Sequence, residues 1–402
     1  MKARAILLPF ILLACTDSAA PSSDQGTDTD SEGSGTDEVG TETESESETD
    51  SDTGTDTEGT PVCGDGLQAG EELCDDGNDV DLDGCNSDCT PTGAVVWQVD
   101  LGVDGFDVAE GTCLATDGAT VYFGGTLRNG FSTVGGFLSA LNLDGELLWT
   151  HTQTAPINDC ITTSMGPVVV SYIDEGLALH DSADGTQVWQ ANMPGAWHPI
   201  SVADDGDSVV VITVSPAEMY RFGLDGALLD SANFSVPASD SQANVGVGPD
   251  GSVYVSGTDD DTGPFFVALD GSFEQQWRID LPPETVLPIP THAVGSESTW
   301  LSVSREAGNA AVLHEVSFAG EELASHVIDS EVAFDLAIDA DHHVLIAQFL
   351  SSIVTKRGPD GAVIWTEALE GIPVAVDAVP GDLSVLSLEL VDDLCRLTRR
   401  YR

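Results

Sequence analysis

The chain has 402 residues, of which 69 are Asp or Glu and only 12 are Lys or Arg, so its formal charge is -57. A surface this acidic repels the phosphates of nucleic acids and the headgroups of anionic lipids, which excludes both as predicted partners. An apolar content of 41% together with 42 glycines is typical of one large β-rich domain with appendages.

The first 14 residues are predicted to be an export signal. Lys2 and Arg4 precede an apolar run of about ten residues, which is too short for a bilayer that needs roughly 20. The run ends in Leu12-Leu13-Ala14-Cys15, which resembles the bacterial lipobox. The resemblance implies cleavage before Cys15 and lipidation of its sulfur. The alternative is an ordinary secretory signal in which Cys15 is incidental.

Residues 15–61 form a predicted linker. From Thr16 to Pro61 there are 15 acidic residues and no basic one, and Val39 is the only large aliphatic residue. Such a segment cannot bury enough apolar surface to offset the entropy lost on ordering. We therefore expect a disordered acidic stalk that holds the folded part away from the membrane.

Residues 62–91 are predicted to be a small disulfide-rich module. They contain Cys63, Cys74, Cys85 and Cys89, and so short a segment has no hydrophobic core of its own. Two disulfides are predicted in an exported protein, with three pairings open. The sequences CGDG and CDDGN at this spacing resemble the myxobacterial cysteine-rich repeat, a family of exported modules of unknown function. The resemblance implies a bacterial surface protein rather than an activity.

Within this module, Asp79, Asp81 and Asp83 repeat the first half of an EF-hand calcium loop, with Gly84 at the sharp turn. Alternate carboxylates in such a loop converge on one hard cation. Position twelve, however, is Thr90 rather than glutamate. Two hypotheses stay open: a calcium site, which is the only cofactor candidate in the chain, or an acidic solvated turn.

Residues 93–402 repeat one pattern: alternating apolar residues, a turn glycine, and tryptophan four residues later. The turn glycines are 40 to 52 residues apart, a period typical of four-stranded propeller blades. Asp-Gly between alternating apolar runs indicates tight hairpins. The clear copies are Gly93/Trp97, Gly145/Trp149, Gly185/Trp189 and Gly361/Trp365; weaker copies turn at Gly226, at Gly271, where Trp277 comes two residues late, and at Gly320.

The two ends of this region are incomplete in a complementary way. Residues 94–101 supply a lone final strand, and the last unit, from Ile372 onward, supplies three strands. Joined, they complete a seventh blade and leave no open sheet edge at the seam. The stretch Leu177–Trp189 resembles the tryptophan-docking repeat of quinoprotein-like propellers. The resemblance implies an all-β, seven-bladed propeller closed by its N-terminal strand, without implying a cofactor.

The sequence contains no heme-attachment motif, nucleophile elbow, zinc-binding helix or phosphate loop. It therefore predicts no catalytic residue, and the repeated tryptophans are interpreted as packing residues between blades. His342 and His343 fall in a predicted surface turn. Cys113 and Cys160 occupy matching places on two inner strands, where either a disulfide or two buried thiols is compatible with the sequence, and Cys395 is left unpaired.

One end of the predicted propeller carries the long loops, and loops of this kind concentrate recognition residues. Arg128, Asn129, Trp197 and His198 are the candidate ligand-binding residues there. The leading hypothesis is a monomeric, non-catalytic scaffold on the bacterial outer membrane or cell surface. It would touch the membrane only through its lipid anchor and bind a protein or glycan. The alternatives are a carbohydrate-active or quinone-dependent propeller enzyme with a scattered site, and a component of an envelope assembly complex. The predicted long loops are Gly125–Gly136, His151–Asp159, Asn192–Pro199, Gly257–Pro264 and Leu281–Thr291.

Overall fold

The computed structural model describes residues 62–401, except 71, 172–175, 194–197, 215–216, 234–237, 260–262, 282–290, 305–310, 329–332, 350 and 382–383. The predicted signal peptide, Cys15 and the linker lie outside these residues. The described chain consists of β-strands and the turns between them. Within it, no helix is long and apolar enough to cross a membrane.

The strands are short and follow one another closely, as the alternating apolar pattern and frequent turn glycines predict. In chain order they are β1 Val95–Leu101, β2 Val108–Thr116, β3 Thr120–Asn129, β4 Ser132–Asn142, β5 Leu147–Gln153, β6 Ile157–Thr163, β7 Gly166–Ser171, β8 Leu177–His180, β9 Gln187–Ala191, β10 His198–Asp204, β11 Ser208–Val214, β12 Glu218–Gly223, β13 Leu228–Asn233, β14 Ala238–Val247, β15 Val253–Asp259, β16 Gly263–Leu269, β17 Gln275–Asp280, β18 Thr291–Val294, β19 Ser298–Ser304, β20 Ala311–Ser317, β21 Glu322–Ile328, β22 Ala333–Ile338, β23 Val344–Gln348, β24 Ile353–Arg357, β25 Val363–Ala368, β26 Ile372–Ala378, β27 Val385–Val391 and β28 Leu394–Arg400.

These strands pair into seven four-stranded antiparallel sheets. Blades 1 to 6 are β2–β5, β6–β9, β10–β13, β14–β17, β18–β21 and β22–β25, and blade 7 is β26–β28 with β1. The innermost strand of each blade contacts the innermost strands of both neighbours, around a closed circle. The protein is thus a seven-bladed β-propeller, and its hydrophobic clusters lie between neighbouring blades rather than in one central core.

The N-terminal strand closes the ring, which confirms the prediction made from the incomplete ends. β1 pairs antiparallel with β28, with Val99 opposite Leu397 and Leu101 opposite Cys395. Arg396 of β28 donates two hydrogen bonds to the Asp100 carboxylate of β1, at 2.5 and 3.0 Å. The chain terminus is therefore held to the first strand by a backbone ladder and a two-pronged ion pair.

Antiparallel pairing places the start of every inner strand at one end of the ring. We call this end the loop face, because the connections between blades and the hairpins between second and third strands lie there; the opposite end is the turn face. Two predicted loops on the loop face are wrong, since Gly125–Gly136 and His151–Asp159 consist mostly of strand. The glycines misled the prediction: a Cβ at Gly125 would overlap Glu110 O and one at Gly136 would overlap Ala155 O, so they permit close strand packing.

The repeated tryptophans join neighbouring blades at the outer rim, as interpreted from the sequence. Each packs on the turn glycine of the next blade, and four donate their indole N–H to a carbonyl of that turn, at 2.7 to 3.0 Å. We call these contacts the outer circle. They are Trp97 on Gly145, Trp149 on Gly185, Trp189 on Gly226, Trp277 on Gly320 and Trp365 on Gly93.

Two junctions of the outer circle lack a tryptophan contact. Between blades 5 and 6, His326 packs on Gly361 instead. Between blades 3 and 4, the Arg221 guanidinium lies over the Phe273 ring, 5.3 Å from its centroid. Phe273 has a φ of 62° and occupies the turn position of the glycine, four residues before Trp277. The tryptophan that looked two residues late is therefore in register, because the turn residue is Phe273 rather than Gly271.

Candidate functional site: the axial channel and the loop face

The inner strands of blades 1, 2, 3, 6 and 7 each contain a β-bulge near the loop face. A bulge leaves one residue without a partner across the ladder and redirects its side chain. All five bulged residues line a cavity of about 660 Å³ that the inner strands enclose. They supply one hydroxyl, one amide and three hydrocarbon side chains, and none is a general acid or base. They are Thr112, Asn158, Ile200, Phe334 and Val374.

The residue after the bulge ties its strand to the next blade. Asp159 of blade 2 accepts hydrogen bonds from Ser201 Oγ at 2.9 Å and Val202 N at 3.0 Å in blade 3. Asp335 of blade 6 likewise accepts a bond of 2.9 Å from Val376 N in blade 7. Side chains at this position therefore bond across blade junctions, and they do so at the wall of the cavity, which Asp159 and Asp335 also line.

The same position makes two further ties with different chemistry. In blade 1 it is Cys113, which forms a disulfide with Cys160 of blade 2. In blade 3 it is Ser201, whose Oγ accepts Val245 N of blade 4 at 3.3 Å. The structure thus has the disulfide alternative for Cys113 and Cys160, while Cys395 is a free, buried thiol.

Two more ties complete this set, which we call the inner circle. Asp377 of blade 7 accepts the backbone N–H of Thr116 in blade 1, so it bridges the ring-closing junction. Ser256 Oγ of blade 4 and His292 Nδ1 of blade 5 are 2.7 Å apart. Within the described residues, six of the seven junctions are therefore tied at or next to the inner strands, the exception being the junction of blades 5 and 6.

Burial changes the protonation of these inner-circle groups. It raises the pKa of Asp159 to about 6 and those of Asp335 and Asp377 to about 7. Repulsion from Asp159 adds to the rise at Asp335, and repulsion from Asp335 adds to the rise at Asp377, while backbone N–H donors oppose it. Burial also lowers the pKa of His292 to about 4, which keeps its imidazole neutral at pH 7.

Shifted pKa values also occur at catalytic sites. The hydrogen bonds of these groups indicate whether they are available for catalysis. Asp159 and Asp335 each accept backbone N–H groups on both carboxyl oxygens, one from the next residue and one from the next blade. The Ser256–His292 pair is enclosed, with Ser256 fully buried and His292 only 9% exposed. The geometry therefore assigns these polar groups to the architecture of the ring.

One inner-circle tie, the disulfide of Cys113 with Cys160, was among the alternatives compatible with the sequence, whereas the other ties were not predicted. The signal of the aspartate ties is a single aspartate inside an otherwise apolar inner strand, as in Phe334-Asp335-Leu336 and Val376-Asp377-Ala378. A buried carboxylate must find donors or a charge partner, and the neighbouring strand edge is where backbone donors are available.

The loop face exposes several apolar side chains on consecutive blades 6, 7 and 1. Phe334 is 47% exposed and stacks on Phe349, with 5.7 Å between ring centroids. Ile372, at the start of the inner strand of blade 7, is 41% exposed. Phe131 of blade 1 is 96% exposed. This arc is the described part of the loop face with the strongest apolar character.

Phe131 lies at the tip of the hairpin with the longest described strands among the second and third strands of the blades. β3 and β4 have 10 and 11 residues, whereas the second and third strands of the other blades have 4 to 7. Three or more additional residues per strand lengthen the paired part of this hairpin by about 10 Å or more. Gly130 precedes Phe131 with a φ of 57°, as a two-residue hairpin turn requires.

The predicted ligand-binding residues Arg128 and Asn129 form the base of this tip. Arg128 Nη2 is 2.7 Å from Glu110 Oε2. Asn129 Oδ1 accepts the backbone N–H of Asp107 at 3.2 Å, and Asp107 Oδ2 accepts Gly130 N at 2.8 Å. Both predicted residues thus brace the hairpin. Trp197 and the side chain of His198 lie outside the described residues.

In the cysteine-rich module the structure selects one of the three open pairings, Cys63–Cys89 and Cys74–Cys85. With Cys113–Cys160 these are three disulfides, which indicate an extracytoplasmic protein from an oxidising compartment.

The aspartates of the calcium hypothesis serve the module's own turns. Asp81 Oδ1 accepts Ser87 N at 2.6 Å, and Asp83 Oδ2 accepts Asn78 Nδ2 at 3.3 Å. Across the part of the chain that the structure describes, no three His, Cys, Asp or Glu side chains are grouped in a way that could hold a metal ion. Calcium binding by Asp79, Asp81 and Asp83 stays a prediction.

Two family matches cover parts of the chain. Residues 87–241 match the family described as outer membrane protein assembly factor BamB. Residues 55–90 match a domain of unknown function, DUF4215, which corresponds to the cysteine-rich module. No curated protein matches the chain.

Solved structures similar to this chain share its fold at very low sequence identity. A streptogramin B lyase is 10% identical, with a TM-score of 0.58 over 76% of this chain and 97% of its own. The Pan2 WD40 domain of Neurospora crassa is 7% identical, with a TM-score of 0.57 over 76% and 94%. Virginiamycin B lyase of Staphylococcus aureus is 11% identical, with a TM-score of 0.56 over 75% and 99%. Together they define the class as a β-propeller, a fold that carries many unrelated functions.

Proposed function

We propose that this protein is a non-catalytic binding scaffold of the bacterial envelope, and that it recognises a protein partner through the loop face of its propeller. The observation that carries the proposal is the projecting hairpin of blade 1 with Phe131 at its tip. An aromatic side chain is the commonest energetic anchor of an interface. An aromatic ring exposed to 96% costs hydrophobic free energy until a partner covers it.

The hairpin is rigid enough to serve as a preformed anchor. Asp107 holds the backbone at Gly130, and the ion pair between Arg128 and Glu110 holds its base. A side chain that is already fixed in its binding position loses less entropy on association, which raises affinity. Residues 129–136 carry no charge, so the tip itself can be desolvated without burying an ion.

The charge distribution indicates the chemistry of the partner. All eight Lys and Arg side chains within the described residues are bonded to acceptors of the same chain. The remaining surface is dominated by carboxylates, so a partner gains from supplying its own cations around an apolar pocket. We therefore propose a protein with a neutral or basic rim around a site for Phe131.

An alternative within the same proposal is a subunit of an envelope assembly complex. It is favoured by the match of residues 87–241 to the BamB family, whose description names outer membrane protein assembly. The enzyme alternative is favoured by the likeness to lyase structures, although identities of 10–11% extend to the fold alone. The involvement of the inner-circle carboxyl groups in inter-blade bonds argues against turnover.

We also propose the export arrangement that the first residues predict: a signal at residues 1–14, lipidation of Cys15, and a stalk over residues 15–61. Replacing Cys15 with alanine should move the protein from the detergent phase to the aqueous phase or leave the signal uncleaved. Unchanged detergent partitioning would contradict the anchor.

Calorimetry of the full chain with calcium, compared with an Asp81→Asn and Asp83→Asn variant, tests whether the cysteine-rich module binds calcium as proposed.

The test of recognition is a photoreactive phenylalanine placed at position 131, with position 165 as a matched control. Met165 is also apolar and 51% exposed but lies in a turn on the opposite face. We expect one defined protein cross-link from position 131 in envelopes of the producing cells and none from position 165. With that protein purified, Phe131→Ala should weaken binding about 30-fold, the effect of losing about 2 kcal/mol, and Met165→Ala should leave it unchanged.

Other outcomes discriminate between the alternatives. Equal cross-linking from both positions, or an unchanged affinity of Phe131→Ala, overturns the recognition site. Binding to a glycan array that is lost in Phe131→Ala replaces the protein partner with a sugar. Turnover of an ester, sugar or quinone that Asp335→Asn abolishes without unfolding the ring supports the enzyme instead.

A further inference from the structure

The hairpin tip contains the only Asn-Gly sequence in the chain, Asn129-Gly130. In such a pair the backbone nitrogen of glycine can attack the side-chain amide carbon of asparagine. The N–C bond forms, the amide leaves as ammonia, and the resulting succinimide ring is opened by water to aspartate or isoaspartate. Glycine favours this reaction because no side chain shields its nitrogen. The reaction consumes only water and needs no enzyme.

The geometry of the tip opposes this attack. The Gly130 N–H donates a hydrogen bond to Asp107 Oδ2 at 2.8 Å, so the nucleophilic nitrogen is held by a contact that it must give up to attack. Asp107 N is shared between Arg128 O at 3.0 Å and Asn129 Oδ1 at 3.2 Å, which holds the electrophilic amide as well. One residue therefore restrains both reacting groups. Backbone pairing of Asn129 with Ser132 adds a further restraint.

We propose that Asn129 is a spontaneous deamidation site whose reaction Asp107 holds in check. Conversion places a new carboxylate beside Asp107, while the adjacent cation, Arg128, is already paired with Glu110. Isoaspartate also adds a carbon to the backbone and breaks the register with Ser132. Either product loosens the tip that carries Phe131, so on the recognition function proposed above the reaction switches recognition off.

Asp107 has a second conceivable role, since a carboxylate can accept the proton that Gly130 loses during attack. A carboxylate is a far weaker base than an amide anion, so the bonded state with hydrogen on nitrogen is strongly favoured. The variants separate the two roles. Asp107→Asn keeps an acceptor oxygen but is no base, whereas Asp107→Ala removes both.

The experiment is peptide mapping by mass spectrometry of the full chain during incubation at neutral pH and physiological temperature. It follows the exchange of amide for acid at position 129 and the appearance of isoaspartate. We expect roughly tenfold faster conversion in Asp107→Ala, the effect of losing one hydrogen bond that opposes attack. Asp107→Asn should stay within about threefold of the unmodified protein. Asp104→Ala, on the same exposed loop, is the matched control and should react at the parental rate.

An equal or slower rate in Asp107→Ala overturns the proposal, and a slower rate in both Asp107 variants shows that Asp107 is a base that promotes the reaction. Hydrogen exchange on the converted protein tests the consequence, because amides near residues 126–133 should lose protection. Neither measurement involves a partner. A failure of Phe131 in recognition therefore leaves this result intact, and a failure here leaves the recognition test intact.

Discussion

The seven blades are joined by two concentric sets of contacts that differ in chemistry. In the outer circle, tryptophan rings pack on positive-φ turn residues, and the same contact recurs at five junctions. In the inner circle, a disulfide, three aspartates, a serine and a histidine make six ties. One kind of contact therefore dominates the rim, whereas the six inner ties are of four kinds.

The difference follows from what each circle must satisfy. At the rim, an indole gains apolar contact and its single N–H finds a carbonyl of the next turn, so one residue type serves any blade. At the axis, the free edges of seven inner strands meet around a cavity, and their N–H groups need acceptors. Several side chains can supply an acceptor, and the bulges free the adjacent residue to face the cavity. Variation at the axis is thus compatible with an unchanged fold, and it is where a propeller can acquire specificity.

Deleting residues 93–101 should have the largest effect of any change to these circles. It removes β1, which pairs with β28, and also Gly93, on which Trp365 packs. Blade 7 would keep three strands and expose a new edge to solvent. We expect loss of the cooperative unfolding transition and aggregation, measured by calorimetry and light scattering. Removing residues 391–402 should be equally severe, and a deletion variant that unfolds cooperatively near the parental temperature would show that the seam is dispensable.

Loss of one rim contact should be smaller but still large. Trp149→Ala removes the ring from Gly185 and the N–H bond of 3.0 Å to Ser182 O. Because the ring is partly buried, we expect a decrease of about 2–4 kcal/mol in the free energy of unfolding, measured with denaturant. Leu148→Ala is the matched control, since Leu148 is 51% exposed in the same strand, and it should change stability by less than about 0.5 kcal/mol. Equal effects would mean that the tryptophans decorate the rim without joining it.

The uniformity of the rim explains how much of the fold could be predicted from sequence. Repetition of glycine and tryptophan predicts the blade count, the closure by β1 and the packing role of Trp149. It fails where another residue takes over a position, as Phe273 does at a positive-φ turn. The Cys113–Cys160 disulfide was one of two alternatives from the sequence. The partners of the buried aspartates could not be predicted, because Asp159 and Val202 are brought together by the ring and share no sequence pattern.

The same limit applies to the candidate recognition site. Arg128 and Asn129 were chosen for their polar chemistry on a supposed loop, and they mark the correct hairpin. Phe131, two or three positions later in the same predicted loop, was missed because the sequence alone does not show which side chain of a loop is exposed. Only the register of β3 with β4 places it in the two-residue turn.

Two glycine substitutions separate the contact with the Trp149 ring from the backbone strain that alanine causes at a positive φ. Gly185 and Gly206 have φ values of 73° and 77°, so alanine is strained at both. A Cβ at Gly185 would lie 2.5 Å from the Trp149 ring, whereas one at Gly206 would meet nothing within 4 Å. We expect Gly206→Ala to cost about 1 kcal/mol and Gly185→Ala about 1–2 kcal/mol more, by denaturant unfolding. Equal costs would mean that the ring of Trp149 moves aside freely.

The smallest predicted effect distinguishes the circles by pH, since only the inner one carries buried carboxyl groups whose pKa is raised. Asp335 and Asp377 have folded-state pKa values of about 7, well above the ordinary value of 3.8 that they regain on unfolding. Their contribution to stability is therefore fully present below about pH 4 and is lost as the pH rises through about 7. His292 acts in the opposite direction between its unfolded value of 6.5 and about 4, so the clearest window lies between pH 6 and 8.

In that window the free energy of unfolding should fall by about 1–2 kcal/mol as the two carboxyl groups ionise. The double variant Asp335→Asn and Asp377→Asn keeps an acceptor oxygen for Val376 N and Thr116 N but cannot ionise. The free energy of unfolding of this double variant should change little from pH 6 to 8. That of Trp149→Ala should be lower than the parental value at every pH but should fall with pH as steeply as in the parental protein. The difference between the two slopes isolates the inner circle, because the general repulsion of a chain with charge -57 acts on both proteins almost equally. If the free energy of unfolding of the double variant fell with pH as in the parental protein, the groups that titrate in this window would lie elsewhere. Asp335 and Asp377 would then act only as neutral hydrogen-bond acceptors.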